Sequence, residues 1–463
     1  MKAKITKMTA FILLLGIFAS CEDYLEIEAP DNKIVGTNVF LNDETAQSAL
    51  VGLYNQLASV NFSSGGISSV TVLGALSADI LIPIYPNNLE YMEFEQHELL
   101  PNNFRNESLW SSAYNIIYLT NALLEGVENN QEISGNIRSR IKGEANFVRA
   151  FTYFYLTSLY GEVPLILTTD YRSNSLAERN SEEEVFGQVL NDLQNAIENL
   201  DAGYSIGERT VVNEAAALAL MARTQLYLEN WEDAEMYSTQ VLDQTGIYEL
   251  LEELDSVFLA NSREAIWQIS PEGRGYSLTN TQEGSVFIIH PLFYFLAQFK
   301  LDPAFVNSFS SEDKRLENWI GFHESTANYF PHKYKIQNSI EDATEYSMVL
   351  RLAEQYLIRA EARARQGNLS GAVSDLNVIR ERADLSSVSD SITGQEELLH
   401  LIFEERKKEL FTEWGHRWLD LKRTGRATEI LGDSDTWELT DLLYPLPESE
   451  REKNPNLTQN AGY

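Results

Sequence analysis

The sequence predicts a mainly α-helical fold that carries a loop-rich, partly β face. Apolar residues recur at helical spacing over most of the 463 residues, which is typical of packed amphipathic helices. Two long helical stretches, 213–243 and 351–383, also share a pattern of small residues. The periodicity breaks in two regions: 59–103 is rich in Gly, Ser, Asn and Pro, and 260–345 mixes strand-like pieces with aromatic loops.

The N-terminus resembles a bacterial lipoprotein signal. Lysines precede the apolar run FILLLGIFA, which is too short to span a bilayer and is predicted to belong to a cleaved signal peptide, residues 1–20. The single cysteine, Cys21, follows Ala-Ser directly after that run, as in a lipobox. The resemblance implies that Cys21 carries lipid and that the stretch 21–40 tethers the folded body to a membrane. An ordinary signal peptide with an incidental cysteine is the alternative.

Cap residues mark the helices between residues 41 and 258. Asn42 begins the first helix, because its side chain can accept a hydrogen bond from the backbone of the first turn. Ser181 begins a later helix and is followed by three acidic residues, which favour a helix N-terminus. Gly161, with Pro164 beyond it, ends another. The helical stretches predicted in this part of the chain are 42–60, 107–127, 137–161, 181–200 and 213–243.

Small residues predict pairs of closely packed helices. Ala222 and Ala234 are twelve residues apart, as are Ala360 and Ala372. Small residues at this separation let two antiparallel helices approach closely, which is the packing of tetratricopeptide repeats. The two copies lie 138 residues apart, so the fold must bring interrupted repeats together.

We expect a single domain from residue 41 to 463. Its parts are a helical lobe at 41–58, 104–258 and 346–425, a loop-rich face at 59–103 and 260–345, and an irregular segment at 426–463. Within the second loop-rich region, EAIWQIS, SVFIIH and HKYKI are predicted strands. The aromatic residues expected in the core are Trp267 of the first strand and, at helical spacing, Phe147, Phe151, Tyr153, Phe154 and Tyr155.

The charge of the chain argues against one class of partner. With 69 acidic and 35 basic residues, the formal net charge is −34, which repels phosphate backbones, so nucleic acid is not an expected partner. The 7 Trp, 22 Tyr and 21 Phe are too many for a disordered acidic chain. A globular acidic protein rich in aromatic side chains suits neutral ligands that bind by ring stacking.

Two Glu-x-x-His elements suggest a metal site. Glu397 and His400 form one, and Glu413 and His416 the other; carboxylate-bridged di-metal bundles use this spacing on facing helices. Apolar periodicity predicts instead one continuous helix from about Gln395, which would separate the two histidines by about 24 Å at ~1.5 Å per residue. The stretch EWGHRWLDLKRTGRA is therefore interpreted as a charged helical surface.

Local ion pairs are expected along this stretch. Glu413 and Arg417 have the i, i+4 spacing of a helical ion pair. Arg417, Asp420 and Arg423 are expected to form a network that fixes the end of the helix. Trp414 and Trp418 are expected to anchor it.

No catalytic or cofactor motif stands out. A glycosidase needs only two carboxylates, so composition alone does not exclude that activity. The 6 histidines show no tight metal-ligand spacing, and no Gly-x-Ser-x-Gly or phosphate-binding loop is found. We predict a protein that is not an enzyme and takes no cofactor.

Several motifs together resemble the SusD/RagB family of nutrient-binding outer-membrane lipoproteins. They are the lipobox, GEANFVRAFTYFYLTSLYGEVPL, RLAEQYLIRAEARARQGN, EERKKELFTEWGHRWLDLKRTG and the terminal YPLPESEREKNPNLTQNAGY. The resemblance implies a SusD-like fold with four tetratricopeptide-type helix pairs and a loop-rich face that holds the ligand. It also implies a TonB-dependent, SusC-like transporter over which the lipoprotein sits as a lid. The residues from Glu413 to Arg423 would then be a structural signature of the scaffold.

Candidate ligand contacts lie in the two loop-rich regions. Sugar recognition needs flat aromatic side chains and polar groups that bond to ring hydroxyls. The candidates are Tyr85, Asn87, Asn88 and Tyr91 in the first region and Tyr276, Asn280, Trp319, Phe322 and Tyr329 in the second. Tyr85 and Trp319 are the preferred stacking platforms, and ordinary packing or contact with the transporter is the alternative for each residue.

The predicted function is that of a lipid-anchored outer-membrane protein that faces the cell exterior. It would bind an oligosaccharide or polysaccharide without breaking a bond and deliver it to the transporter. Two other classes stay open. One is a tetratricopeptide adaptor or peptide-binding surface lipoprotein, whose concave helical face would carry the affinity. The other is a surface glycoside hydrolase.

Overall fold

The computed structural model describes residues 39–274, 279–389, 392, 394–432 and 436–463. The predicted signal peptide, Cys21, all but the last two residues of the tether and the candidate Tyr276 lie outside the described residues. Helices dominate the remainder. They are α1 Asp43–Ser59, α2 Val70–Leu76, α3 Leu89–Glu95, α4 Phe104–Val127, α5 Gly135–Tyr160, α6 Tyr171–Asn174, α7 Glu182–Asn199, α8 Glu214–Tyr227, α9 Trp231–Leu242, α10 Gln282–Phe287, α11 Pro303–Asn307, α12 Lys314–Asn318, α13 Leu352–Arg365, α14 Leu369–Arg382, α15 Gln395–Glu409, α16 His416–Arg423, α17 Ala427–Leu431 and α18 Glu448–Lys453.

The strands of the described residues form three small antiparallel sheets of two strands each. The strands are β1 Leu81–Pro83, β2 Ala265–Ile269, β3 Phe299–Leu301, β4 Ile320–His323, β5 Asn328–Pro331 and β6 Ser347–Arg351. β1 pairs with β3, β2 with β6 and β4 with β5. Five of the six lie within the two loop-rich regions, as predicted for this part, whereas β6 lies just beyond residue 345, in a stretch predicted to be helical.

The predicted caps are confirmed. The Asn42 side chain accepts a hydrogen bond from the Thr45 backbone N–H at 2.9 Å and caps α1. Ser181 and Glu184 form a capping box at the start of α7, in which each side chain satisfies a backbone N–H of the other residue. Gly161 ends α5 with a φ of 72°, a conformation that costs a glycine little.

The predicted helix pairs are present. α8 packs against α9, α13 packs against α14, and α9 packs against α13. A buried cluster of small and branched side chains joins the two pairs; it consists of Ala222, Leu226, Ala234, Ile358 and Ala362. The fold therefore brings together helices 138 residues apart, while the comparison with tetratricopeptide repeats stays a prediction.

The aromatic residues expected in the core are buried. Phe147, Phe151, Tyr153, Phe154 and Tyr155 on α5 have no exposed surface. Trp267 on β2 is also fully buried, and its ring meets those of Phe147 and Phe151 edge-on at 5.0 and 5.2 Å. These positions belong to the main hydrophobic core of the domain.

Two of the three predicted strand pieces are wrong. EAIWQIS does form β2, but the first residues of SVFIIH complete α10, because Thr281 caps that helix by accepting from the Gly284 N–H at 3.1 Å. HKYKI forms no strand. Two of its hydrogen bonds to the rest of the protein involve side chains instead of the backbone of a partner strand. The Tyr334 hydroxyl accepts from the Met348 N–H at 2.9 Å, and the Lys335 N–H donates to Glu345 at 2.6 Å.

The helix predicted to run unbroken from Gln395 is interrupted. α15 ends at Glu409 and α16 begins at His416. Between them the chain turns through three residues with left-handed φ angles: Thr412 at 50°, Trp414 at 46° and Gly415 at 67°. The turn brings Gly415 against α2, where a Cβ on Gly74 would lie 2.7 Å from the Cα of Gly415.

Three charged side chains of this stretch, Glu413, Arg417 and Asp420, are buried rather than on a helical surface. Glu413 pairs with Arg351 and Lys333, so the expected Glu413–Arg417 pair is wrong. Arg417 instead binds Asp79 through Nε–Oδ1 and Nη2–Oδ2 contacts of 2.7 and 3.0 Å.

Part of the expected network is confirmed. Asp420 pairs with Arg423 at 2.7 Å and with Arg406 at 2.8 Å. Trp414 and Trp418 are buried, as expected for anchors. The turn between the two helices is what directs these side chains inward.

The two histidines of the Glu-x-x-His elements have different surroundings. His416 is buried beside Glu354 at 3.9 Å, and burial together with nearby arginines lowers its pKa well below the usual value. His400 contacts Arg426 at 3.0 Å on the surface. Within the described residues, no three His, Cys, Asp or Glu side chains converge as metal ligands would.

Among the residues that the structure describes, no helix combines the length and apolarity that a bilayer crossing requires.

Candidate ligand-binding face

The two loop-rich regions meet at a short antiparallel sheet. In β1 and β3, Leu81 pairs with Leu301 and Pro83 with Phe299. The contact continues beyond the strands, where the Tyr85 hydroxyl donates to the Phe295 carbonyl oxygen at 2.9 Å. Tyr85 therefore lies against residues more than two hundred positions away in the chain, and the two regions form one face.

A run of exposed apolar residues forms the centre of this face. Residues 292–296 read Leu-Phe-Tyr-Phe-Leu, and their side chains are between 41% and 74% exposed. His290 shapes the start of the run, because its Nδ1 accepts from the N–H groups of Leu292 and Phe293, both at 3.0 Å. An exposed apolar patch of this kind marks an interaction site.

A hairpin extends the aromatic surface on one side. Phe322 on β4 faces Tyr329 on β5, with ring centroids 4.8 Å apart, and the two side chains are 50% and 37% exposed. The ring of Tyr294 lies 5.3 Å from that of His323 at the end of β4. Tyr85, the 292–296 segment and the hairpin are therefore neighbours in the fold, and we call their exposed aromatic side chains together the aromatic face.

A cavity of about 260 Å³ opens beside the aromatic face. Its wall includes the ring of Phe293 and the side-chain amides of Gln298, Gln337 and Asn338. Gln337 is held in place, because its side-chain amide donates to the Ile288 carbonyl oxygen at 2.7 Å and its backbone carbonyl oxygen accepts from the Asn280 side chain at 2.6 Å. The site thus combines ring faces with amides that can both donate and accept hydrogen bonds.

The central segment of the aromatic face carries no charged residue. Residues 290–299, HPLFYFLAQF, contain no Asp, Glu, Lys or Arg, although the chain as a whole has a net charge of −34. An uncharged platform in an acidic protein favours a neutral ligand, because neither attraction nor repulsion of ions contributes to its binding. The arrangement can stack a flat apolar ring face and bond to a rim of hydroxyls.

Trp319, a preferred stacking platform in the sequence prediction, is fully buried. Its indole N–H donates to the Leu254 carbonyl oxygen at 3.1 Å, and the Lys333 ammonium lies 4.7 Å from its ring centroid. A ligand can stack only on an open ring face, so the stacking role expected for Trp319 is wrong for this conformation.

Tyr91 and Asn280 also lie inside the protein. The ring of Tyr91 packs edge-on against Phe299 at 4.8 Å, and burial raises the pKa of its hydroxyl to about 12. Asn280 donates to the Gln337 carbonyl oxygen and so supports the cavity wall from behind. Ligand contact is therefore excluded for Tyr91 in this conformation, and Asn280 acts by positioning Gln337.

The other described candidates remain at the surface. Asn87 is exposed, and Asn88, which precedes α3, is partly exposed. The Asn88 backbone N–H donates to the Tyr85 carbonyl oxygen at 3.1 Å, so the chain turns between these two residues. Tyr85, Phe322 and Tyr329 have open ring surface, and ligand contact at all five stays a prediction.

Sequence reasoning missed the 292–296 segment. A run of five apolar residues is usually buried, and only its flanks argued otherwise. Pro291 precedes the run and two polar glutamine residues, Gln282 and Gln298, lie on either side of it, but neither signal distinguishes an exposed loop from a core strand.

Comparisons with known proteins agree with this architecture. Residues 23–228 match a family model described as starch-binding and associating with the outer membrane, and residues 326–463 match the model of the SusD family. SusD-like protein P38 of Formosa agariphila is 26% identical, over 100% of both chains.

Solved structures share the fold. A SusD superfamily protein from Bacteroides vulgatus superposes with a TM-score of 0.80 at 20% identity, covering 91% of this chain and 99% of the other. A laminarin-binding SusD-like protein superposes with a TM-score of 0.76 at 22% identity, covering 91% of this chain and 100% of the other. The mainly α-helical, SusD-like fold is therefore confirmed, and the chain belongs to the SusD/RagB family.

Proposed function

We propose that this protein binds a glycan non-covalently on the aromatic face. The observation that carries the proposal is the proximity of Tyr85, the 292–296 segment and the Phe322–Tyr329 hairpin, each of which exposes aromatic side chains. A pyranose ring has apolar C–H faces that stack on such rings, and its hydroxyls suit the nearby amides of Gln298, Gln337 and Asn338. Binding of this kind needs no catalytic group.

The family supports a carbohydrate ligand. The model that matches residues 23–228 is described as starch-binding, and one structural neighbour is named for laminarin binding. Both ligands are neutral glucans, in agreement with the absence of charged residues from 290–299. Which glycan this chain binds is the first question for experiment.

We further infer that the bound glycan passes to a TonB-dependent, SusC-like transporter over which this protein closes as a lid. The outer-membrane association in the family description supports the location. The lipobox-like sequence before Cys21 supports a lipid anchor, and the acidic Glu22 and Asp23 directly after it support an orientation toward the cell exterior. In this arrangement the protein captures the glycan and the transporter moves it.

Calorimetric titration with maltohexaose and laminarihexaose tests the glycan site. We expect the Tyr85→Ala/Phe322→Ala substitutions to weaken binding of the preferred oligosaccharide at the aromatic face at least tenfold, because two stacking surfaces are lost there. The Tyr85→Phe/Phe322→Tyr variant keeps both rings and should bind within about threefold. Ile206→Ala, another exposed apolar position, is the control for general surface effects. Equal affinities for all variants would contradict the site.

Purification of the native protein from outer membranes tests the transporter. We expect a large TonB-dependent receptor to copurify in detergent, and the Cys21→Ser variant to leave the membrane fraction. Recovery of the membrane-bound protein alone under gentle detergent conditions would contradict the proposed partner. A Cys21→Ser variant that stayed in the membrane would contradict the lipid anchor.

A further inference from the structure

A second aromatic cleft lies apart from the aromatic face. It has a volume of about 380 Å³ and lies between α4, the loop 164–175 and the C-terminal stretch 450–457. None of its lining residues lines the cavity beside the 292–296 segment. Its volume falls within the range of small-molecule sites in proteins, roughly 300–1,000 Å³.

One wall of the cleft is an aromatic stripe on α4. Trp110, Tyr114 and Tyr118 follow each other at intervals of four residues and so lie on one side of the helix. The deeper two rings are fixed: Trp110 and Tyr114 lie 4.9 Å apart, and the Tyr114 hydroxyl donates to the Pro164 carbonyl oxygen at 2.8 Å. Tyr118, at the outer end, is 51% exposed.

The facing wall presents a second open ring. Tyr171 begins the short helix α6 and is 72% exposed. Hydrogen bonds hold the loop that carries it, since the Asn174 amide donates to the Thr168 carbonyl oxygen at 2.7 Å and the Asn121 amide donates to that of Ile166 at 3.0 Å. The ring thus stands on a braced loop.

The C-terminal stretch closes the third side and adds polar groups. The Asn454 amide donates to the Ala177 carbonyl oxygen at 2.7 Å and ties this stretch to the loop. Glu450 and Lys453 form an ion pair at 2.7 Å on the rim. A carboxylate and an ammonium side by side offer an acceptor and a donor with no net charge, which suits vicinal hydroxyls better than an ion.

We propose that this cleft is a second binding site for a neutral carbohydrate. A sugar ring would stack on Tyr118 and Tyr171, and its hydroxyls would bond to Glu450 and Lys453. The proposal rests on the glycan-binding function proposed above and adds a separate place for it. Two sites on one chain would raise the avidity for a long polysaccharide well above that for a short oligosaccharide.

Calorimetry with maltohexaose and laminarihexaose separates the two sites. We expect two binding sites per chain in the unchanged protein and one in Tyr118→Ala/Tyr171→Ala, whereas Tyr118→Phe/Tyr171→Phe, which keeps the rings, retains two. Tyr85→Ala/Phe322→Ala should also retain one site, and that site should disappear when the two pairs of alanine substitutions are combined.

Electrophoretic retention by a polysaccharide provides a second measurement of the cleft. Retention of the Tyr118→Ala/Tyr171→Ala variant in native gels that contain soluble starch or laminarin should fall at least threefold, with unchanged migration in a gel without polysaccharide. The proposal is overturned if this variant keeps the stoichiometry and retention of the unchanged protein, or if no oligosaccharide binds after Tyr85→Ala/Phe322→Ala. If Tyr85→Ala/Phe322→Ala has no effect while the cleft variant abolishes binding, the aromatic-face proposal fails and the cleft stands.

Discussion

Arg351 and Glu413 form a bidentate ion pair with N–O distances of 2.7 and 2.9 Å, although both side chains are almost wholly inaccessible to solvent. Arg351 ends β6, and Glu413 lies in the turn between α15 and α16. Arg351 also contacts Glu264 at 3.0 Å, and Lys333 contacts Glu413. The cluster therefore joins the loop-rich region to the helices of the C-terminal part.

Glu413→Gln is expected to lower the free energy of unfolding by about 3–5 kcal/mol, because it leaves buried Arg351 and Lys333 without a full counter-charge. Burial favours the neutral acid, but Arg351 and Lys333 outweigh it and hold the pKa of Glu413 below its usual value. The carboxylate is therefore ionised at neutral pH. Chemical denaturation followed by circular dichroism measures the change.

The control for this prediction is a pair at the surface. Glu249 and Arg263 lie 3.1 Å apart, and about half of each side chain is exposed. Exposed pairs contribute only about 0–1 kcal/mol, so Glu249→Gln should shift the unfolding midpoint much less. Equal shifts for the two variants would contradict the role assigned to the buried cluster.

The pH dependence of stability should reveal the Asp79–Arg417 pair. Burial alone would raise the pKa of Asp79, but Arg417 and Lys407 outweigh it and lower the pKa to about 2. A lowered carboxyl pKa contributes stability that is present above the unfolded value near 3.8 and is lost as the pH falls toward 2.

We therefore expect the stability difference between the unchanged protein and Asp79→Asn to shrink by about 2 kcal/mol from pH 5 to pH 2. Taking the difference cancels the acid titration of groups that both proteins share. Denaturant unfolding at half-unit pH steps measures it, and a difference that stays constant over this range would contradict the assignment.

The helices could be predicted because their signals are local. Caps such as Asn42 and Ser181, and the apolar periodicity between them, depend on neighbours within a few residues, and the structure confirms these boundaries. The break at Gly415 escaped this reasoning, since the apolar pattern continues across it. At the break, Gly415 packs against Gly74 of α2, a contact with a distant part of the chain that no local pattern reports.

The candidate site depends on contacts that no local pattern reports. Trp319 lies in a loop-rich region, but distant cations, Lys333 at 4.7 Å and Arg382 at 5.7 Å from its ring, enclose it. The 292–296 segment has the composition of a core strand but lies at the surface. The sequence therefore indicates which regions form the face, and only the fold decides which rings are open.

Gly74→Ala is expected to destabilise the protein by about 1–3 kcal/mol, because the new Cβ would lie 2.7 Å from the Cα of Gly415 and the backbone would have to move. Gly52→Ala is the matched control, since a Cβ there meets no heavy atom within 4 Å. Gly52 lies inside α1, so alanine should stabilise the protein by up to about 1 kcal/mol. Thermal unfolding curves should shift in opposite directions, and a shift in the same direction would contradict the close approach of the two glycines.

Trp319 and Phe322, three residues apart, should respond in opposite ways to truncation. Trp319→Ala removes a fully buried ring and its hydrogen bond to Leu254, so the free energy of unfolding should fall by about 3–5 kcal/mol. Phe322→Ala removes a half-exposed ring and should change stability by no more than about 0.5 kcal/mol, while glycan affinity falls severalfold. Denaturation and calorimetry on the same two preparations test both statements. A Trp319→Ala variant that stays folded with unchanged stability but loses glycan binding would restore the tryptophan as a ligand contact, and would show that the closed ring environment opens in solution.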